Sequence, residues 1–231
     1  MTEVSTPDST DITGRTVSVL GGTGDQGRGL ARRFALAGHT VYLGSRNTER
    51  AEKTARELVE AESTPIDVRG LDNAAAAAEG DIVIVAVPWD GHKELLEDLA
   101  GPLSGKIVVD CVNPLGFDKR GPFALDVPEG SAAEQAAAVL PDSTVVAAFH
   151  HVSAVLLLDP QVESVDLDVL VLGEDRGATD TVRALAERIP GVRGVYGGRL
   201  RNAHQVEALT ANLIAINRRY KTHAGIRITG P

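Results

Sequence analysis

The chain has 231 residues, a formal net charge of −9, 43% hydrophobic and 3% aromatic residues, and a single cysteine, Cys111. That length accommodates one sizeable core or a domain with an appendage, and the acidic balance without a basic block excludes a nucleic-acid or anionic-membrane partner. One cysteine excludes an intrachain disulfide and a cysteine metal cluster, and with no apolar run of transmembrane length and no signal-peptide pattern the expected location is cytoplasmic.

Met1–Gly14 is polar and aperiodic, and is expected as a disordered tail. Thr16–Leu20 is a β-branched apolar run that stops in glycine, as a buried strand does. Gly22, Gly24 and Gly27 supply G-x-G-x-x-G, and Leu30, Phe34 and Leu36 continue at helical spacing over Gly29–Ala37. A strand feeding a helix through such a loop aims backbone N–H groups and the positive end of a helix dipole at one spot, where a pyrophosphate binds. In this pattern Gly22 permits the tight turn, Gly24 lets the backbone approach the phosphates, and Gly27 lets helix and strand pack closely. His39–Gly44 completes a βαβ unit, so the motif reads as a dinucleotide site.

NAD sites commonly carry an acid about 20 residues further on, at the end of the second strand. This chain has Gly44-Ser45-Arg46 there, with Arg50 following. Ser45 can donate to a 2′-phosphate, Arg46 can clamp it and Arg50 adds charge, so NADP is the expected nucleotide. Hydrogen bonds to charged groups, at roughly 1.5–3 kcal/mol each, decide that preference. The plainer alternative is that both arginines are solvated surface charges.

Thr48–Ala61 reads as a surface helix, Ile66–Leu71 as a third strand and Asn73–Ala78 as a short helix. Asp81–Trp89 is apolar on both faces, like a central parallel strand, and breaks at Pro88, at the sheet end where open α/β folds bind ligands. Trp89 either walls a flat ring or packs at a helix start. His92, in the polar start of helix Asp90–Leu99, is expected at the surface. Lys106–Asp110 is a short strand, after which Asn113 either contacts the nicotinamide half or shapes the turn with Pro114. Gly116–Pro128 is expected as an irregular loop over the site, Ala132–Leu140 as a helix, and Thr144–Phe149 as a strand running into His150-His151. Adjacent histidines point to opposite sides of an extended segment and do not share a metal, so none is expected. Asp168–Gly173 is a strand, Thr179–Ile189 a helix, Gly194–Tyr196 a short edge strand and Arg201–Tyr220 the last long helix, with a tail that folds back toward the cleft. The apolar faces of Arg201–Tyr220 and of Val152–Asp159 predict a homodimer.

The fold class is therefore α/β, a Rossmann-type doubly wound parallel sheet with a small C-terminal helical subdomain: a tail at 1–14, an NADP-binding domain at 15–200 and the subdomain at 201–231. The three tyrosines Tyr42, Tyr196 and Tyr220 are followed four residues later by Arg46, Leu200 and Ala224, so no Tyr-x-x-x-Lys proton relay exists, and no G-x-S-x-G elbow is present. Cys111 has no evident base partner. What remains suits hydride transfer to an acceptor that needs no protein proton donor, with no catalytic side chain expected.

The chain resembles the NADPH-dependent reductases of coenzyme F420, a deazaflavin. The resemblance runs from Thr16 to Thr229 and rests on the order of VLGGTGDQGRGLA (Val19–Ala31), GSRNTERAEK (Gly44–Lys53), DIVIVAVPW (Asp81–Trp89), AAFHHVSA (Ala147–Ala154) and VEALTANLI (Val206–Ile214). It implies two cofactors, NADP and coenzyme F420, stacked in one cleft with hydride passing between nicotinamide C4 and deazaflavin C5. Carried onto matching positions, it implies the phosphates at Thr23, Gly24, Asp25 and Gln26, and the 2′-phosphate at Ser45, Arg46 and Arg50. Val87, Pro88, Asn113 and Ala148 would line the nicotinamide, and His150, Ser153 and the tail near Ala224-Gly225 would lie toward the deazaflavin. The competing expectations are an NADP-sensing regulator, whose glycine loop is similar, and an NADPH-dependent ferric or flavin reductase built on the same domain.

Overall fold

Apolar β-branched runs alternate with amphipathic helices along most of the chain, and the computed structural model, which describes residues 11–230, assembles them around one large sheet. The first half comprises β1 (Val17–Leu20), α1 (Asp25–Leu36), β2 (Val41–Ser45), α2 (Thr48–Ala61), β3 (Val68–Asp72), α3 (Asn73–Glu79), β4 (Ile82–Val85), α4 (His92–Asp98), the single turn α5 (Ala100–Leu103) and β5 (Ile107–Asp110). A hairpin of β6 (Leu115–Asp118) and β7 (Gly121–Ala124) follows, then α6 (Ala132–Val139), β8 (Thr144–Ala147), α7 (Ala154–Leu158), β9 (Leu167–Gly173), α8 (Arg176–Ala186), β10 (Val192–Gly198) and α9 (Ala203–Tyr220).

The sheet order is β10-β9-β8-β5-β4-β1-β2-β3. From β3 to β8 every neighbouring pair is parallel, the doubly wound Rossmann order. β9 then joins β8 antiparallel, with β10 parallel to β9 at the edge. The sheet is thus parallel only over its six Rossmann strands, because β9 enters from the opposite direction after α7.

Side chains alternate across the sheet, as strand geometry requires. Val17, Val19, Ile82 and Ile84 face one apolar core with Leu30 and Phe34 of α1, Leu58 of α2 and Leu185 of α8. Leu20, Val83 and Val85 face the other, with Ala76 of α3, Leu96 of α4, Ala136 of α6 and Val206 of α9. Both faces of β1 and β4 are covered, which is why β4 is an unbroken apolar run and β1 is apolar but for Ser18, whose buried hydroxyl donates to Ala76 O.

Four expectations change. α1 begins at Asp25, four residues before the expected Gly29, with Gly24 as its N-cap; Gly27 and Gly29 lie inside it. Gly116–Pro128 is not an irregular loop: its first part is the β6–β7 hairpin, packed against α9 and turned at Gly121, whose φ of +121° favours glycine. His92 is fully buried rather than at the surface. Of the expected tail, residues 1–10 lie outside the described residues, and Ile12 is fully buried in the core. No helix among the described residues is long and apolar enough to cross a membrane.

The chain end is held by one carboxylate. Asp168 on β9, with a fully buried side chain, accepts from Arg193 Nε and Nη2 (both 2.7 Å), Arg227 Nη1 (2.7 Å) and the Ile228 N–H (2.6 Å). Its own N–H donates to Ile226 O at 2.8 Å, so residues 226–228 lie along the β9 edge. Hydrogen bonds from Arg193 hold this carboxyl below its ordinary value. A lowered folded-state pKa means the stabilisation is present above the unfolded value and is lost as pH falls through the folded one. Asp168→Asn turns an amide NH₂ toward cationic donors, and is expected to speed hydrogen exchange in residues 224–230 at least tenfold while the Rossmann strands stay protected. Acidification of the parent below the carboxylate range should release the same segment first. Mass-spectrometric exchange on both samples checks this, and an unchanged tail would refute it.

Candidate functional site

At the β1–α1 turn three glycines are set by contact. A Cβ on Gly21 would lie 2.5 Å from Ala86 O, one on Gly22 would lie 2.6 Å from Leu43 Cδ2, and one on Gly27 would lie 2.8 Å from Gly21 O. The left-handed turn residue is Gly21, at φ +74°, and not Gly22 as the motif reading had it. Gly22 is required instead by the approach of Leu43, and Gly27 by helix–strand packing. Gly24 caps α1 with no side-chain acceptor, so the first-turn N–H groups receive no capping oxygen from it. Asp25 is exposed in that turn.

Beside the turn lies a cleft of about 360 Å³. Its walls include Gly21, Thr23 and Gly24 from the turn, Ser45, Arg46, Asn47 and Arg50 from the β2–α2 junction, Asn73 from α3, and Ala86, Val87, Pro88, Asp90, Gly91 and Leu95 from the β4–α4 passage. All three candidate 2′-phosphate residues therefore share one wall. Ser45 Oγ accepts the Asn47 N–H at 3.1 Å, which leaves its hydroxyl proton to donate. Asn47 Oδ1 accepts the Arg50 N–H at 2.8 Å and caps α2, which fixes where Arg46 and Arg50 leave the backbone. Among the described residues no carboxylate pairs with either guanidinium. Sequence reasoning missed Asn73, whose Oδ1 is buried without a hydrogen-bond partner. Its signal was present, since Asp72-Asn73 opens a helix directly after a strand.

The remaining candidate residues gather elsewhere, around the turn after β8. Phe149 is fully buried with a φ of +63°, a conformation that costs a non-glycine residue about 1–2 kcal/mol. Two successive carbonyls of this turn are held from three directions. Gln26 Nε2 donates to Phe149 O at 3.3 Å; Asn113 Nδ2 and Thr210 Oγ1 donate to His150 O at 2.9 and 3.1 Å. Asn113 thus holds the turn after β8 with its amide. Ala148 is fully buried, its N–H on Asp110 O. His150 is buried, and burial, only partly offset by the Asp110 charge and the neighbouring Val112 and Cys111 backbone, lowers its pKa to about 4. Ser153 Oγ meets His223 Nδ1 at 3.3 Å, and the Ala224 N–H donates to Asn217 Oδ1 at 2.6 Å, so the chain end reaches this cluster. Cys111 donates Sγ–H to Val85 O, and burial pushes its thiol pKa up, which makes it a packing residue. No group of three metal-ligating side chains occurs among the described residues.

Residues 16–114 match the family described as NADP oxidoreductase, coenzyme F420-dependent. The chain is 42% identical to the F420-dependent NADP reductase of Methanothermobacter marburgensis, over 92% of this chain and 97% of that protein. It is 32% identical to the metalloreductase STEAP3 of Rattus norvegicus, over 86% of this chain but 37% of that protein. A crystal structure from Arthrobacter sp. FB24, assigned to the F420-dependent NADP-reductases, superposes with a TM-score of 0.76 at 27% identity, covering 94% of this chain and 100% of that one.

Gln26→Leu removes the side-chain hydrogen bond from α1 to the Phe149 carbonyl. The loss of a neutral hydrogen bond, about 1 kcal/mol, is expected to raise amide exchange in residues 149–153 roughly fivefold, without lowering protection in β1. Equal exchange in both proteins would show that the bond carries no local stability.

Proposed function

The chain belongs to the F420-dependent NADP reductases, and from that membership we propose how its residues divide the two cofactors. It is an oxidoreductase that moves reducing equivalents between NADP(H) and coenzyme F420. The observation that carries the division is the cleft beside the uncapped α1 N-terminus, with Ser45, Arg46 and Arg50 on one wall and, among the described residues, no carboxylate paired with either arginine.

The pyrophosphate sits at Thr23, Gly24, Asp25 and Gln26, recognised by backbone N–H groups and the α1 dipole; the exposed Asp25 carboxylate turns away. Gly22 and Gly27 contribute by letting the chain pass, not by contact. The 2′-phosphate lies against Ser45, Arg46 and Arg50, and Asn73 offers its unpartnered Oδ1 to the adenosine half. Val87 and Pro88 lead toward the nicotinamide end, where Asn113 and Ala148 support the floor rather than line an open surface. His150, Ser153 and Ala224, with α9 and the tail of residues 201–231, complete the second cofactor's side.

Bound together, nicotinamide C4 and deazaflavin C5 supply the hydride donor and acceptor. The protein holds the two rings in register, excludes water, and fixes their approach, which supplies roughly 7–11 kcal/mol where geometry is near attack. The lowered pKa of His150 keeps it neutral at physiological pH, in keeping with a site that shields a hydride rather than supplies a proton. We also propose a homodimer. Phe117 (65% exposed) on the hairpin that packs on α9, and Ile216 (39%) and Tyr220 (73%) on α9 itself, leave apolar surface for a second copy.

Purified protein mixed with NADPH and oxidised coenzyme F420 should bleach the deazaflavin absorbance rapidly, with NADH slower and free FMN inert. Tight NADPH binding without bleaching would favour a nucleotide sensor instead. Arg46→Ala should raise KM for NADPH about 10- to 100-fold, the equivalent of one charge-assisted bond, and leave KM for NADH within twofold. A parallel rise for both nucleotides would remove Arg46 from the 2′-phosphate. Light scattering on the eluting protein should return twice the chain mass.

A further inference from the structure

His92 opens α4 and is fully buried against Trp89, the ring centroids 5.5 Å apart and the planes at 30°. Its Nε2 lies 2.6 Å from Asp110 Oδ2, and its Nδ1 lies 3.0 Å from Gln135 Oε1. The far end of Gln135 decides what these contacts mean. Gln135 Nε2 is 3.1 Å from Glu129 Oε2, and an ionised carboxylate only accepts, so the amide nitrogen must face Glu129 and the amide oxygen must face His92. Both ring nitrogens then meet acceptors. A neutral imidazole carries one N–H and would turn a lone pair toward one of them, whereas imidazolium satisfies both.

The charged groups around the ring agree with this from each packed element. Asp110 comes from β5, Glu129 acts through Gln135 from the segment before α6, and Glu207, whose carboxyl pKa burial pushes up to about 7, approaches from α9, where it accepts the Ala132 and Ala133 N–H groups at 3.0 and 3.2 Å. Burial works against charge on His92, but the Asp110 charge and hydrogen bond and the Gln135 hydrogen bond outweigh it and hold its pKa above the ordinary value.

The ends of this network lie at the nicotinamide walls. The His92 N–H donates to Trp89 O at 3.1 Å, directly after the cleft-lining Val87 and Pro88. Asp110 Oδ1 accepts the Val112 N–H at 3.0 Å, next to Asn113, and Asp110 O accepts the Ala148 N–H at 3.0 Å. One ion pair therefore spans from the exit of β4 to the exits of β5 and β8. Resting on the NADP–F420 reading above, we propose that His92 is a positioning residue, protonated throughout the working pH range, whose bond to Asp110 sets the spacing between the two walls that flank the nicotinamide. It touches neither cofactor, and acts through Trp89 on one side and through Asp110 on Val112 and Asn113 on the other.

Nitrogen NMR of the full chain labelled with ¹⁵N-histidine tests the charge directly. At pH 8 one histidine, assigned through its contacts to Trp89, is expected to show both nitrogens protonated while exposed histidines are neutral. A neutral ring with one unprotonated nitrogen would overturn the proposal, and this measurement needs no variant to fold. His92→Gln and Asp110→Asn test the positioning. Each should lower kcat roughly 10- to 100-fold, the scale of a sub-ångström to one-ångström misplacement, while the dissociation constant of NADPH changes less than threefold. Parental kcat in both variants, or NADPH binding that weakens in step with kcat, would refute the role. If the parent does not reduce coenzyme F420 at all, the functional reading fails, and the NMR result still decides the state of His92.

Discussion

The approach of Gly27 to the backbone of Gly21 and Gly22 is the constraint on which the rest of the molecule depends. A Cβ on Gly27 would push α1 away from that turn, one on Gly21 would strike the Ala86 carbonyl after β4, and one on Gly22 would strike Leu43 of β2. That helix does more than present its N-terminus. One turn on, a Cβ at Gly29 would fall 2.7 Å from Leu157 Cβ, so α7 lies directly against it. Arg33 then donates to Leu157 O, Leu156 O and Val162 O at 2.7–2.9 Å, and Arg32 donates to Leu157 O while pairing with Glu62. These arginines satisfy the C-terminal carbonyls of α7, which a short helix would otherwise leave bare. Gln26, from the same helix, reaches the Phe149 carbonyl. The nucleotide helix thus also positions the turn and helix carrying His150 and Ser153.

Several junctions between elements are made by buried ionisable side chains. Asp168 fastens the chain end to β9, Glu207 of α9 accepts the first N–H groups of α6, and His92 with Asp110 joins α4 to β5. Such groups lose hydration on burial, and recover it only when their hydrogen bonds are met in one geometry. An apolar seam would tolerate sliding; these do not. They therefore suit a site whose work is to hold two rings at a set distance. His150 is the contrast, equally buried but neutral.

Much of the fold was legible because its signals are local. Short, mainly apolar runs marked β1, β4, β5 and β8, since strands covered on both faces need them, and α2 was readable to the residue from its alternating charge beside apolar residues. Glycine hid the true start of α1, because its low helix propensity reads as loop even where close packing demands it. The β6–β7 hairpin was obscured by Gly116, Gly121 and Pro122, whose turn chemistry resembles that of an irregular loop. His92 was misplaced because its helix begins with polar residues, and polarity in sequence does not distinguish a solvated side chain from one whose partners are supplied by other strands.

By itself the sequence determined the strand–turn–helix unit, the cluster of Ser45, Arg46 and Arg50 at one strand end, and the shortage of proton relays, because each follows from backbone geometry or residue type within a few positions. Only the tertiary structure decided that Gly21 is the left-handed residue, that β9 runs antiparallel, and that Asn113 is committed to the His150 carbonyl. It alone decided the bonds of His92, Asp168 and Gln26, whose partners lie 18 and 43, 60, and 123 residues away along the chain. A pattern read along the sequence carries the periodicity of one element, whereas a buried polar side chain is placed by whichever elements the sheet order brings beside it.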